Sequence, residues 1–178
     1  MDKKNIIDEM IRVNHAGEHG AIKIYEGQIK ALRFLKQEET LIKEIQEMRD
    51  HELEHLHFFE NEILKRNVRP TFLLPLWDIL GTTLGVGTAL LGKKATALCT
   101  AAVEEVIGGH YNEQIETLER DFKNEKSLKK TFSKFRDDEL GHKDRAEKMG
   151  STNSGVYYIL DTIIKNASKL AIKVSKKV

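Results

Sequence analysis

The sequence predicts an all-α fold, on three observations. Its only prolines, Pro70 and Pro75, fall in one short stretch, which leaves the rest of the 178 residues free to run in long helices. Apolar residues recur at steps of three and four through several long segments, the period of a helix with one buried face. One pattern also occurs twice: a glutamate, then 34 or 35 residues on a second glutamate with a histidine three places after it. The copies are Glu18 with Glu52 and His55, and Glu104 with Glu139 and His142. Helices are expected at residues 4–36, 40–65, 95–121, 126–149 and 154–176.

The first helix carries a stripe of Ile11, Asn14, Glu18, Ala21 or Ile22, Tyr25, Ile29 and Leu32, with one acid in the middle. In the second, Leu41, Ile45, Met48, Glu52, His55, Phe59 and Ile63 fall on one seam. A competing Glu-x-x-His match, Glu54 with His57, shares its face with Glu47, Asp50 and Asn61 and is assigned to solvent. The helix at 95–121 has a stripe of Ala97, Ala101, Glu104, Gly108, Tyr111, Ile115 and Leu118, which selects Glu104 over Glu105. The helix at 126–149 repeats the logic with Leu128, Phe132, Phe135, Glu139, His142, Ala146 and Met149.

Taken singly, each glutamate is an ordinary charge on an amphipathic helix. Four apolar seams each interrupted by an acid, with no Lys or Arg on any of them, are not ordinary, because burying uncompensated carboxylates costs several kcal/mol apiece. Residues i and i+3 share a helix face, so each Glu-x-x-His pair can reach one point. Four inward glutamates and two histidines are the ligand set of a dinuclear site in a ferritin-like four-helix bundle. The candidate metal ligands are therefore Glu18, Glu52, His55, Glu104, Glu139 and His142. One histidine per metal among oxygen donors suits iron or manganese better than zinc.

Two further segments suggest a membrane. Residues 72–92, FLLPLWDILGTTLGVGTALLG, hold a single charge, Asp78, and are long enough to cross a bilayer. Pro75 and the glycines at 81, 85, 87 and 92 favour a shallow membrane-dipping or quinone-lining hairpin over a span; an ordinary buried connection is the plain alternative. The C-terminal helix has an apolar face of Tyr157, Leu160, Ile163 or Ile164, Ala167, Leu170 and Val174, with Lys165, Lys169 and Lys173 recurring every fourth residue. Such a helix lies on an anionic membrane surface or packs as a solvated bundle helix.

The length suits one domain, residues 1–178. A net charge of +1 asks for no nucleic-acid partner. Cys99 has no mate for a disulfide, and the N-terminus lacks the apolar core of a secretory signal. The expected location is peripheral, on the cytoplasmic face of the inner or cell membrane.

Several motifs occur together in order: Arg-Val-Asn-His-Ala-Gly-Glu at 12–18, Ile-Tyr-x-Gly-Gln at 24–28, Val-Arg-Pro-Thr at 68–71, Pro-Leu-Trp at 75–77, Gly-Thr-Ala-Leu-Leu-Gly-Lys at 87–93, Ala-Val-Glu-Glu with His-Tyr-Asn across 102–112, and Phe-Arg-Asp-Asp-Glu-Leu-x-His at 135–142. In these the chain resembles the demethoxyubiquinone hydroxylase family of ubiquinone biosynthesis over roughly residues 10–175. His19 departs from the aromatic or aliphatic residue expected after Glu18. The resemblance implies hydroxylation of a 2-polyprenyl-3-methyl-6-methoxy-1,4-benzoquinol ring with two iron ions, O2 and two electrons, NADH being the expected donor. It places the family ligands on the same six residues, with Glu52 and Glu139 bridging and Glu18 and Glu104 terminal. His110 and Tyr111 match family residues that orient ligands or pass electrons and protons; plain packing for Tyr111 and an interhelix hydrogen bond for His110 are the simpler roles. A lipid-delivery protein or a second copy of the chain are expected partners. A ferroxidase or iron-binding protein is the alternative activity for the same ligands, and a membrane-bound scaffold with structural acids is the non-enzymatic one.

Overall fold

The computed structural model describes residues 3–151 and 154–177. Among them six helices form and no strand: α1 (Lys3–Phe34), α2 (Glu39–Arg66), α3 (Leu74–Leu90), α4 (Lys93–Asp121), α5 (Lys126–Lys148) and α6 (Val156–Ser175). Helices α1 and α2 pair through a four-residue loop, as do α4 and α5, and these four make the bundle. Helix α3 packs along α1, and α6 along α4. The fold is all-α and ferritin-like, as the periodicity and the duplicated ligand pattern predict.

Each helix ends where the chain chemistry changes. Helix α2 stops at Asn67, which takes the left-handed conformation (φ 53°) that a short polar side chain tolerates. Pro75 sits in the first turn of α3, where its missing N–H costs nothing. Only Leu91 and Gly92 separate α3 from α4, and the reversal is made at Gly92 with φ 97°, a value that favours glycine.

The expected hairpin at residues 72–92 is instead one continuous helix. The reason is its glycines: a Cβ on Gly85 would overlap the Ile24 carbonyl oxygen, and one on Gly81 would stand 3.0 Å from the Gly20 carbonyl. Gly27 of α1 returns the contact, 2.5 Å from the Thr82 carbonyl by the same measure. The two backbones touch, and that close packing offsets the poor helix propensity of glycine.

The predicted seams of α1 and α4 are buried throughout. In α2 Ile63 is only half-buried, and Glu62 takes the inner position, where Arg66 bonds it at 2.5 Å and reaches Glu125 with two hydrogen bonds of 2.8 and 3.0 Å. Met149 is likewise half-buried. On α6 the apolar residues spread too widely for one face: Ile164 is buried, whereas Ile159, Ile163 and Leu170 are about 60% exposed. Two apolar clusters fill the bundle, one around Phe59, Tyr111, Phe132 and Phe135 and one around Tyr25, Leu32, Ile45 and Met48. The candidate ligands lie on the stretches of helix between them.

Candidate metal centre

All six predicted residues are buried, each no more than 2% exposed, and they converge. One donor atom from each of Glu18, Glu52, His55 and Glu139 lies within 4.8 Å of the others. The same holds for Glu52, Glu104, Glu139 and His142. The two groups of four share Glu52 and Glu139, so one cluster offers two candidate metal positions. Glu54 and His57 are exposed on the opposite face of α2, as their register predicts.

A near two-fold relation runs through the surroundings. Tyr25 stands seven residues after Glu18, and Tyr111 seven after Glu104. Each donates across the bundle to the other helix's acid: Tyr25 to Glu104 Oε1 at 2.5 Å, and Tyr111 to Glu18 Oε1. That ties down one oxygen of each outer carboxylate and leaves the other facing the cluster. The histidines follow the same rule. His55 Nε2 lies 3.2 Å from Asp138 Oδ2, and His142 Nε2 lies 3.1 Å from His51 Nδ1. Asp138 and His51 are the residues immediately before Glu139 and Glu52. With Asp138 accepting, His55 carries its proton on Nε2, which turns the Nδ1 lone pair inward.

The interior of the cluster is short of positive charge. Both oxygens of Glu52 and Glu139, Oε2 of Glu18 and Glu104, and Nδ1 of His55 and His142 have no hydrogen-bond partner. The imidazole Nδ1 atoms approach these carboxylates at 2.8–3.7 Å without the alignment of a hydrogen bond. Burial, reinforced by neighbouring carboxylates, pushes the Glu18 and Glu104 carboxyls well above their ordinary value. Burial opposes ionisation of Glu52 too, but contacts with His142, His55 and Glu18 together outweigh it and hold that carboxyl low. For His142 burial is outweighed by Glu139 and Glu52, which raise it to about 9; His55 is raised still further by Glu139, Glu18 and Glu52. Unpaired carboxylate oxygens and imidazole Nδ1 atoms gathered away from water suit metal ions, which would displace the protons these groups otherwise hold. The oxygen-rich donor chemistry with one imidazole per centre fits two iron ions.

Three residues in this arrangement escaped the sequence reading: Tyr25, His51 and Asp138. Tyr25 was visible in principle, since the spacing of seven from glutamate to tyrosine is repeated. His51 and Asp138 both precede the glutamate of a Glu-x-x-His pair, a regularity with meaning only once α2 and α5 are known to face each other. His19, the departure after Glu18, pairs with Asp78 at 2.6 Å and so joins α1 to the one charge in the apolar segment. His15 is buried, and burial first and then His19 lower its pKa; its Nδ1 has no hydrogen-bond partner.

Beside the cluster, on its α1 and α4 side, an apolar groove of about 150 Å³ opens between α1, α3, α4 and α6. Gly17, Ala21, Trp77, Leu84, Val103 and Ile107 are among the residues that line it. Gly17 and Val103 are the immediate neighbours of Glu18 and Glu104.

A family model described as ubiquinone biosynthesis protein COQ7 matches residues 5–175. The chain is 43% identical to the NADPH-dependent 3-demethoxyubiquinone 3-hydroxylase, mitochondrial, of Homo sapiens, over 96% of this chain and 77% of that protein. It is 42% identical to the 3-demethoxyubiquinol 3-hydroxylase of Rhodospirillum rubrum, over 97% of this chain and 79% of the relative. With the 5-demethoxyubiquinone hydroxylase, mitochondrial, of Saccharomyces cerevisiae it shares 41% identity over 93% of this chain and 76% of the relative. A match of this extent, on a helical bundle with a buried carboxylate and histidine cluster, shows that the chain belongs to the COQ7 family of ubiquinone biosynthesis proteins.

Proposed function

We propose that this chain is a di-iron hydroxylase that adds one hydroxyl group to the ring of a demethoxyubiquinol in ubiquinone biosynthesis. The observation that carries the reading is the pair of four-residue groups sharing Glu52 and Glu139, set against an apolar groove of ring-like size. The reading takes residues 1–178 as one ferritin-like unit.

Glu18, Glu52, His55 and Glu139 would hold one iron, and Glu52, Glu104, Glu139 and His142 the other, with Glu52 and Glu139 common to both. When bound, the irons supply activation of O2 and the redox change that hydroxylation needs. The chain's own residues do the rest. Tyr25 and Tyr111 fix Glu104 and Glu18 by one oxygen each, while Asp138 and His51 hold the imidazoles in register. The groove excludes water from the reacting ring and orients it. Its volume of about 150 Å³ is that of a cavity that accepts a benzene-sized ring, so the polyprenyl tail must lie outside it.

The tail has an apolar exit. Phe72 just before α3, Leu76, Ile79 and Leu80 on α3, and Ile159 and Ile163 on α6 are exposed, and together they would rest on a membrane surface. Among the described residues no helix is long and apolar enough to cross a membrane, so the contact would be peripheral. The relatives from Homo sapiens, Bos taurus and Caenorhabditis elegans are named NADPH-dependent, so the electron donor of this reading is a reduced nicotinamide dinucleotide, with NADPH in place of the expected NADH.

The test is direct. Iron-loaded protein given demethoxyubiquinol, O2 and NADPH in detergent should yield the hydroxylated quinol by mass spectrometry, with label from 18O2 in the new hydroxyl. Iron-loaded protein that oxidises Fe2+ but never labels the quinol would overturn the reading in favour of a ferroxidase.

A further inference from the structure

A second cleft of about 410 Å³ runs between α4 and α6, separated from the apolar groove by Ile172, which lines both. Glu105, Val106, Gly109, His110 and Glu113 form its α4 wall, and Lys165, Lys169, Ile172 and Lys173 of α6, with Lys176 just past its end, form the other. Its volume is within the range of small-molecule sites, roughly 300–1,000 Å³. Its charge is distinctive: Lys165 is engaged by Glu105 at 2.8 Å and Asp161 at 3.1 Å, but Lys169, Lys173 and Lys176 have no carboxylate partner among the described residues.

The inner wall is built, not incidental. Asn14 and Gln114 form a reciprocal amide pair: Asn14 Nδ2 donates to Gln114 Oε1 at 2.8 Å, and Gln114 Nε2 donates to Asn14 Oδ1 at 3.0 Å. The second N–H of Gln114 meets His110 Nε2 at 2.9 Å. Nε2 is therefore the acceptor, and the ring proton must sit on Nδ1. Burial, aided by Lys176, lowers His110 to about 4, so the ring is neutral and keeps this tautomer. The His110 side chain is only 9% exposed, and its Nδ1 lies 3.7 Å from Glu113 Oε2, too far for a hydrogen bond. His110, whose Nδ1 makes no hydrogen bond among the described residues, thus stands on the wall of a cleft whose other wall carries three lysines with no carboxylate partner.

We infer that this cleft binds the phosphate groups of the reduced dinucleotide that supplies electrons to the enzyme. The inference rests on the hydroxylase reading for the identity of the donor. Lys169, Lys173 and Lys176 meet the phosphate oxygens, the His110 Nδ1–H donates to an acceptor on the ligand, and Val106, Gly109 and Ile172 supply its apolar lining. Glu113 at the rim accepts from ribose hydroxyls. His110 is the chain neighbour of Tyr111, which bonds Glu18, so a carrier bound here lies one helix away from the carboxylate cluster.

A phospholipid headgroup offers the same chemistry, and the experiment separates the two sources. NADPH binding to iron-loaded protein is read by nucleotide fluorescence without lipid or quinol, in the native protein and in Lys169→Gln/Lys173→Gln. A Lys126→Gln/Lys148→Gln variant removes the same charge from exposed positions on α5. The cleft variant should weaken NADPH binding at least tenfold, raise the KM for NADPH likewise and leave kcat and the KM for quinol unchanged; inorganic pyrophosphate should compete with the nucleotide. The α5 variant should change none of these. Unchanged NADPH binding in the cleft variant overturns the inference, and if that variant instead loses only binding to phosphatidylglycerol vesicles, the cleft is a headgroup site. Because binding is measured without turnover, nucleotide held through these lysines by a protein that never hydroxylates quinol would sink the hydroxylase reading and spare the cleft.

Discussion

Glu52 and Glu139 belong to both four-residue groups, so losing either should cost both metal positions. Replacement of either by Ala should lower bound iron well below two per chain and reduce hydroxylation roughly a thousand-fold or more, since a metal centre contributes several kcal/mol to such a reaction. Helix content by circular dichroism should stay close to native. Asp138→Asn removes only the orienting charge behind His55, and iron affinity by competitive chelation should fall about 10–100-fold. The titration of the site gives a third expectation. Glu18, Glu104, His55 and His142 all bind protons more tightly in the folded chain than in the unfolded one, so the stability they confer is complete at low pH and is lost as pH rises. For the histidines the loss begins above the ordinary value of 6.5 and for His142 runs to about 9; Glu52, held low, acts in the opposite sense only below its ordinary 4.5. The melting temperature of metal-free protein should therefore fall between pH 6.5 and 9, and iron, which competes with protons, should abolish that fall. All six candidate ligands were readable from the sequence because each interrupts an apolar stripe on its own helix. Tyr25, His51 and Asp138 were not, because each acts on a residue of a different helix.

At the scale of the element, α3 is the segment the sequence described least well. Its length and apolar character were plain, but its three glycines and Gly92 beyond it read as breaks in a hairpin when two of them, Gly81 and Gly85, are the places where its backbone meets α1. The distinction depends on what lies opposite, which no local pattern encodes. It also yields a paired prediction. Gly85→Ala forces a methyl group into the Ile24 carbonyl and should cost about 2–4 kcal/mol, lowering the melting temperature by roughly 5–15 °C. Gly87→Ala, exposed on the same helix with nothing within 4 Å, should instead stabilise by about 0.5–1 kcal/mol. Equal effects of the two substitutions in thermal unfolding would mean that α3 does not touch α1 in this way. The bundle helices were located to within two residues or so at most ends, because long periodic segments fix their own faces.

For the whole molecule, the arrangement among the described residues is two apolar clusters in the bundle with an ionisable layer between them, and two accessory helices on one side, where a third cluster around Cys99, Val103 and Ile164 joins them to it. Those helices leave Ile79 and Ile163 59–65% exposed, and the membrane reading follows from such positions. An Ile79→Glu/Ile163→Glu variant should bind phosphatidylcholine–phosphatidylglycerol vesicles at least about tenfold more weakly in co-sedimentation, while in detergent its turnover of a short-tailed quinol is unchanged. A variant that sediments with vesicles as well as the native protein does would place the contact elsewhere.

The meeting of α1 and α3 through glycine also bears on how the enzyme can change over evolution. Where two main chains already touch, the width of the slot beside them is set by the smallest residue available. Every substitution at Gly81 or Gly85 can only narrow that slot or pry the helices apart. A variant that accepts a bulkier ring must gain its room where a large side chain can be shortened, at Trp77, Leu80 or Leu84 of α3 or at Val103 and Ile107 of α4.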